Sequence, residues 1–448
     1  MQFQRFSLTL QGEKICAFCR CALLYSGVYR LYLQIPVSAD GRRDILNAKQ
    51  TFAGFEKMLS VLPSILTVLI NLVLGSAHMI ILLRLKEGGA GTMMMSVALP
   101  VWAVVCCVLS GLIGFVLNEQ NARRFLQVSA TLFFTAFTGL IFFNSNYFQL
   151  FWLFVIGFGS ATFCAPLQIF MKKLETGQRG GLVRAAAMYS ASWSLGMAVG
   201  PFLFAMLSAV AGEQAWRVAY IMDAVLMVPV FFIPMIAERL AARRNRSVQA
   251  VVTDTAEVAA ADDFSGRPDM APAGWALIIA SFTLVMGLRT ILPDQGRDAG
   301  YSEVQISLLV SVLYFCHSVT SMAMIRSREW MYKAGVVTVL SIGAVLGLLG
   351  YIFLFRSIGC LFFCTVLLGI HSGMAGFCLV FYALAHPVKA AKYTAINEVV
   401  VGASNMLSPL LLVGGLIWLT GLNWIPFAAM ILIVTGSLIY FLLRLRRS

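Results

Sequence analysis

The chain has 448 residues, of which 60% are hydrophobic and only 12% are charged. Soluble globular domains carry about 25% charged residues, so this composition excludes a soluble protein. The formal net charge of +13 also occurs in nucleic-acid-binding proteins, but here the basic residues lie between long apolar segments, which excludes nucleic acid as the partner.

Residues 1–57 precede the first apolar segment and have a mixed composition. Arg20 and Arg30 interrupt the apolar stretch 15–37, which argues against a spanning helix, and no signal-peptide pattern is present. Two alternatives stay open: a cytoplasmic extension, or translation that begins at Met58. The closely spaced cysteines of this segment lack the further ligands that a structural metal site needs, so we predict no metal.

Twelve long apolar segments follow. A helix needs about 20 mostly apolar residues to cross a bilayer core, and each segment meets that length. They predict an all-α polytopic membrane protein, with the lipid bilayer as its solvent. The predicted spans cover residues 58–83, 95–117, 126–143, 148–171, 186–210, 216–237, 274–292, 304–325, 335–355, 358–385, 393–420 and 423–443.

The basic residues between these spans fall mainly on alternate connections. With the N terminus inside, nineteen of the 33 Lys and Arg residues lie on inner connections and six on outer ones. Positive charge retains a loop on the cytoplasmic side during insertion. The pattern therefore predicts that both termini are cytoplasmic, in a protein of the cytoplasmic (inner) membrane that we expect to be a monomer.

A polar segment divides the spans six and six. Residues 238–273 begin basic and turn acidic, as a flexible linker does, and they separate a bundle at 58–237 from one at 274–448. Transporters often contain two such related halves. The string RAAAMYSASWSLGMAVGP at 184–201 has a counterpart, KAAKYTAINEVVVGASNMLSP, at 389–409, so we predict two six-helix bundles.

The fifth span contains the string SLGMAVGP. Gly196 and Gly200 lie four residues apart on one helix face and permit close approach of another helix, and Pro201 permits a bend. This string resembles the helix-5 motif of the major facilitator superfamily, where it lies at the meeting of the two halves. The connection between spans 2 and 3, GFVLNEQNARR, is similar to the second signature of that family at Gly114 and Arg123.

That second match is incomplete. Asn118 stands where the family has an acidic residue, Glu119 replaces a basic residue, and Asn121 replaces a glycine. The resemblance covers about 390 residues. It implies two six-helix bundles around a central cavity, lined by helices 1, 5, 7, 8, 10 and 11, and alternating access by rocking. It also implies a role in conformational switching for the glycines, the proline, Asn118 and Arg123.

Ionisable groups inside a membrane are expensive unless paired or hydrated, so each one is a candidate for substrate or proton binding. Glu398, with Asn397 beside it, is the first: it either exchanges a proton or forms a salt bridge near the cytoplasmic mouth. Each of the others has a structural alternative. A histidine can bond a neighbouring backbone or hydroxyl group, Arg289 can snorkel to the surface or pair with Asp294, Asp223 can pair with a cap or loop, and an aromatic ring can serve packing alone. These other candidates are His317, His371, His78, Arg289, Asp223, Tyr189 and Trp193.

The printed sequence contains no G-x-x-x-x-G-K-[ST] phosphate loop, no H-E-x-x-H string and no evident serine–histidine–acid set, so we predict neither an enzyme nor a cofactor. We predict a secondary transporter of a small solute, coupled to protons through Glu398. The few charges favour a neutral or amphipathic solute; the direction of transport stays open. The alternatives are a lipid or polysaccharide flippase of another twelve-helix fold, and a sensor or scaffold that does not transport.

Overall fold

The structure is a computed structural model that describes residues 41–143, 145–175, 182–251, 267–326, 332–386 and 389–447. Residues 55–448 form one compact unit and residues 1–54 another. The predicted cytoplasmic extension lies outside the described residues, apart from the helical backbone after Gly41. The cysteines of that extension also lie outside the described residues.

The described residues are almost entirely helical. We number the long helices α1 to α12 in chain order. Their bounds are α1 Gly41–Glu87, α2 Thr92–Gly114, α3 Ala122–Phe142, α4 Asn146–Glu175, α5 Leu182–Ala211, α6 Ala215–Val251, α7 Ala271–Asp298, α8 Glu303–Ala323, α9 Ala334–Phe353, α10 Ile358–Ala385, α11 Ala390–Ser408 with its continuation to Thr420, and α12 Ile425–Arg446.

Eleven helical stretches within these ranges are long and apolar enough to cross a membrane. One of them, Ala186–Arg243, spans 58 residues and contains both α5 and α6. A short 3₁₀ turn at Gly212–Gln214 separates the two helices, and Gly212 has a φ of +53°, which glycine adopts without steric strain. Counted separately, α5 and α6 complete the twelve spans that the sequence predicts.

Helices α1–α6 form one bundle and α7–α12 the other, as predicted. Within the first, α4 packs on α2 and α3, and α3 packs on α6; within the second, α7 packs on α10, α11 and α12. The two bundles meet where α5 contacts α8 and α10, and where α2 contacts α11. These cross-bundle contacts bring residues of distant sequence together.

The outer surface of the bundles is apolar. Val108, Leu112 and Leu432 are 57%, 57% and 74% exposed, and many similar side chains surround them. Water would disfavour so large an apolar surface, whereas hydrocarbon chains match it. Polar side chains instead collect inside: the buried set includes histidines, an arginine and numerous serines.

Helices α1 and α5 cross at backbone distance. A β-carbon at Gly200 would collide with the Leu72 carbonyl and the Ser76 amide of α1, and one at Gly196 would collide with the Val68 carbonyl. The motif glycines therefore face α1 within their own bundle rather than the opposite bundle. The remaining faces of α5 meet α8 and α10, so this helix does lie at the junction of the halves.

Helix boundaries differ from the predicted spans in two places. Helix α1 begins at Gly41, upstream of the predicted Met58, and α6 continues to Val251, past the predicted start of the linker. Both extensions are polar and contain no proline. Hydropathy locates the membrane but not the end of a helix, because polar residues such as Arg, Lys and Gln are good helix formers.

Helix α11 contains an irregularity that the sequence analysis did not predict. After Ser408 its backbone becomes π-helical over Pro409–Gly415 before it ends at Thr420. Proline lacks the amide donor needed to continue a regular helix, and π-helical turns are frequent at functional sites. Gly414 in this segment packs directly against Ser96 of α2, at the junction of the two bundles.

Candidate functional site

The centre of the interface between the bundles is a chain of hydrogen bonds around His317. On one side of the imidazole, Nδ1 lies 2.9 Å from the Ser372 hydroxyl, which accepts a bond from Ser281 at 2.8 Å. On the other, Nε2 lies 3.1 Å from the hydroxyl of Ser190, which lies 3.0 Å from that of Ser321. The chain joins α7, α10 and α8 to α5 of the opposite bundle.

Each nitrogen of the His317 imidazole has a hydroxyl partner. Ser281 donates to Ser372, and Ser321 donates to the Gly373 carbonyl. The hydroxyls of Ser372 and Ser190 can each donate to the ring or accept from it, so either tautomer keeps both bonds. His317 therefore connects the bundles. Its predicted role in proton or substrate binding stays a prediction.

The ring of Trp193, which belongs to an aromatic cluster, lies beside this imidazole. The ring of Trp193 on α5 has centroid distances of 5.6 Å to Phe282, 5.7 Å to Tyr314 and 5.7 Å to His317. Trp193 is only partly buried, and Tyr189 lies one turn before it on the same helix. The cluster joins α5 to α7 and α8, and it provides an apolar wall beside the polar chain.

Arg289 contacts this aromatic cluster through Tyr314. Its side chain is 2% exposed, and Nη1 donates to the Tyr314 hydroxyl at 3.1 Å, with a longer contact of 3.7 Å to the Met286 sulfur. No acidic partner of Arg289 exists among the described residues. Asp294, the neighbour suggested by sequence, pairs with Lys86 instead.

His78 and His371 are fully buried within their bundles. The ring of His78 on α1 packs edge-on against Trp102 of α2 at 4.6 Å, and Trp102 donates to Ser160 of α4 at 2.9 Å. Within the described part of the chain, neither nitrogen of either histidine has a hydrogen-bond partner. The structure does not bring these two residues into the His317 chain.

Asp223 on α6 is also fully buried, away from the His317 chain. Its carboxyl group faces the Ser76 hydroxyl of α1 and the Tyr220 side chain of its own helix. Neither carboxyl oxygen has a hydrogen-bond partner in the described ranges. Sequence reasoning expected a cap or loop partner for this residue, and the described neighbours include none.

Glu398 and Asn397 have different surroundings. Asn397 is buried: its amide oxygen accepts a bond from Trp275 at 2.7 Å, and its amide nitrogen donates to the Leu379 carbonyl at 3.3 Å. It therefore ties α11 to α7 and α10. Glu398 is half-buried at the junction with α2, where it faces the thiol of Cys107. Its predicted proton exchange stays a prediction.

The connection between α2 and α3 is held by asparagines. Asn118 accepts from the backbone amides of Gln120 and Asn121, both at 3.0 Å, and Asn121 donates to the Val116 carbonyl at 2.7 Å. Arg123 forms an ion pair of 2.6 Å with Glu238 of α6. Nothing lies within 4 Å of a β-carbon placed at Gly114.

An ionic cluster that the sequence analysis did not predict ties the bundles at the predicted outer end. Lys86 Nζ lies 2.5 Å from Asp294 and 3.2 Å from Asp298, and Arg297 lies 2.7 Å from both Glu87 and Glu303. We name Lys86, Glu87, Asp294, Arg297, Asp298 and Glu303 the outer ionic cluster. It joins α1 to α7 and α8, so the bundles are held together at this end.

The described side chains include no group of three or more His, Cys, Asp and Glu residues arranged to hold a metal ion. What the interface contains is a buried cation, an aromatic wall and a chain of hydroxyls. A set of this chemistry can bind and orient a molecule through charge and hydrogen bonds.

Comparisons with known proteins identify the family. The Major Facilitator Superfamily model matches residues 58–313. No curated protein matches the sequence. Among solved structures, the human organic anion transporter MFSD10 (TETRAN) is 14% identical, with a TM-score of 0.57 over 86% of this chain and 99% of that one. At this identity the likeness shows the fold alone.

The alternative of a lipid or polysaccharide flippase with another twelve-helix fold is wrong, because the structure has the fold of this superfamily. Since the family model covers more than half of the chain and the helices form the two bundles that the resemblance implied, this chain belongs to the major facilitator superfamily.

Proposed function

We propose that this protein is a secondary active transporter that carries a small organic anion across the membrane by alternating access. Membership of the family supports membrane transport, and its contact surfaces between α1–α6 and α7–α12 support rocking of two bundles. The anionic substrate is inferred from one observation, which is the buried, acid-free environment of Arg289.

A guanidinium group at membrane depth costs at least several kcal/mol unless an anion or water compensates it. Helix α7 ends nine residues after Arg289, about 14 Å along the axis, and the side chain is 2% exposed, so it does not snorkel to the surface. Only Nη1 of the five N–H donor positions has partners, which are Tyr314 and Met286. The remaining N–H groups of the Arg289 guanidinium can donate hydrogen bonds to a carboxylate, sulfonate or phosphate oxygen.

The surroundings of Arg289 suggest the rest of the substrate. Tyr314 bonds Arg289 and packs against Trp193, and the Trp193 ring also contacts Phe282 and His317. A molecule with one anionic group and an apolar or aromatic body matches both features. The name of MFSD10, an organic anion transporter, agrees with that chemistry.

The sequence contains no phosphate loop for ATP, so the energy for transport comes from an ion gradient or from the gradient of the substrate itself, and the proposal takes the ion to be the proton. Glu398 is the residue proposed to exchange the proton at the junction of α11 and α2. Uptake into proteoliposomes, measured with an imposed pH gradient, tests this role. Unchanged uptake and unchanged pH dependence in Glu398→Gln would contradict it.

The anion proposal is tested by thermal shift on the purified full chain. The probes are aromatic carboxylates, each paired with its neutral carboxamide. A ligand that binds the folded state raises stability by RT ln(1 + [L]/Kd), so a carboxylate at a hundred times its Kd adds about 2.7 kcal/mol. We expect the carboxylates to raise Tm and the carboxamides to have no effect.

Arg289→Gln should abolish this response, and Arg289→Lys should retain part of it because the charge remains without the planar fork. Arg356→Gln is the control, since Arg356 is an exposed arginine near the predicted outer surface. A carboxylate response that survives in Arg289→Gln would refute the anion site. Binding without flux in proteoliposomes would instead favour the sensor or scaffold alternative.

A further inference from the structure

A groove lies between α3 and α6 on the lipid-facing side of the first bundle. It has a cavity volume of about 180 Å³, and its walls include Thr131 and Phe134 of α3 and Val228 and Phe232 of α6. All four side chains are exposed, so the groove opens towards lipid. The Thr131 hydroxyl donates to the Gln127 carbonyl of its own helix at 3.0 Å, and the other walls are apolar. The groove therefore suits a hydrocarbon chain.

Two arginines lie at the predicted inner end of these two helices. Arg123 of α3 pairs with Glu238 of α6 at 2.6 Å, which holds the helices together there. The next residue on each helix, Arg124 and Arg239, is exposed, and neither side chain has an ion pair or hydrogen bond among the described residues. Helix α3 contains no acidic residue, and the other acid of α6, Asp223, lies 16 residues before Arg239. This end of the helix pair therefore has a net positive charge.

The two arginines are in register with the groove. Arg124 lies seven residues before Thr131, and Arg239 lies seven residues after Phe232. Seven residues make about two helical turns, so each arginine lies on the groove face of its helix, about 10 Å from the groove along the axis. Each arginine also lies two residues outside its predicted span. A lipid whose phosphate reaches the arginines therefore extends its acyl chains along the groove, because half of the hydrocarbon core is about 15 Å thick.

We propose that this groove binds an anionic glycerophospholipid, with one acyl chain between α3 and α6 and the phosphate between Arg124 and Arg239. Guanidinium groups bind phosphate oxygens through charge-assisted hydrogen bonds, and basic residues between membrane helices recognise anionic headgroups. Each arginine favours an anionic lipid over a zwitterionic one about fivefold, and the two together about thirtyfold. The site lies outside the interface between the bundles, so it is independent of Arg289 and of the proposed transport function.

Photocrosslinking of the full-length protein tests the preference for an anionic headgroup. The protein is placed in phosphatidylcholine nanodiscs that contain a small fraction of a photoactivatable lipid, either phosphatidylglycerol or phosphatidylcholine, with the diazirine in the same acyl chain. Mass spectrometry then measures the labelling of the groove residues. We expect phosphatidylglycerol to label them about thirtyfold more strongly than phosphatidylcholine. Equal labelling by the two lipids would overturn the proposal.

The double variant Arg124→Gln, Arg239→Gln should label equally with the two lipids. Its control is Arg446→Gln, Arg447→Gln, which removes the same charge from exposed positions at the predicted inner end of the second bundle. The control should keep the wild-type preference. A preference that survives in the first variant would overturn the proposal. An equal loss in both variants would also overturn it, since the cause would then be the overall charge of the protein surface.

Val228→Trp tests the apolar half of the site, because the larger side chain fills the groove and leaves the charge unchanged. Labelling of the groove should fall severalfold, whereas Val339→Trp, at an exposed position on α9, should leave it unaltered. Persistent labelling in Val228→Trp would contradict the groove as the binding site. Glycerophosphoglycerol, the headgroup without acyl chains, should not displace the lipid. Displacement by this compound would indicate a site for a soluble phosphate and would overturn the lipid assignment.

Discussion

Lys86→Met should open the outer end of the transporter. Lys86 is the main partner of Asp294, whose side chain is 4% exposed, at 2.5 Å. The substitution leaves that carboxylate with the Thr92 hydroxyl at 3.0 Å and no cation. Breaking a fully buried pair costs about 3–5 kcal/mol. The Lys86 side chain is 24% exposed, and solvent screening reduces the expected cost to about 2 kcal/mol.

This cost applies to the closed state alone, because the pair separates when the bundles do. A change of about 2 kcal/mol shifts the ratio of open to closed molecules roughly thirtyfold. Spin labels at Glu213 and Ser357, which are exposed at the predicted outer end in different bundles, report that ratio as the fraction of long distances once the ten native cysteines are replaced. The charge reversal Lys86→Asp with Asp294→Lys should return the distribution towards wild type. An unchanged distribution in Lys86→Met, or no recovery in the reversal, would refute the reasoning.

Three further outcomes are expected. Gly200→Val should destabilise the protein by about 2 kcal/mol, because its side chain would meet the α1 backbone; a thermal melt equal to that of Gly111→Val, where nothing lies within 4 Å, would contradict this. His317→Phe should cost about 2 kcal/mol through lost hydrogen bonds to buried hydroxyls, with partial recovery in His317→Gln, and equal melts for the two variants would argue against the hydrogen-bonded chain. The hydrogen bond to Asp269 raises the pKa of Tyr393, so this contact should stabilise the fold below pH about 10 and be lost as the pH rises through the raised pKa. The difference between the absorbance titrations of wild type and Tyr393→Phe gives the pKa of Tyr393. A midpoint at the ordinary tyrosine pKa would contradict the prediction.

The sequence predicted the twelve membrane-spanning helices because hydropathy is a local property. Each span needs only its own residues to satisfy its backbone hydrogen bonds in lipid, and twelve such stretches identify twelve helices. The glycine and proline string of α5 also predicted a close helix contact, which the structure shows at Gly196 and Gly200. Local signals failed at the helix ends, where polar helix formers extend α1 and α6 beyond the membrane.

The partners of the polar residues were decided by the tertiary structure alone. Because Asp294 lies five residues after Arg289, the sequence suggested an ion pair between them. Asp294 instead binds Lys86, 208 positions away. The same holds for His317, whose partner Ser190 belongs to the opposite bundle. Which side chains meet depends on the rotation and crossing of packed helices, and these depend on contacts among all of them. The sequence of a single span does not determine those contacts. It therefore identifies a buried charge but not whether an opposite charge lies beside it.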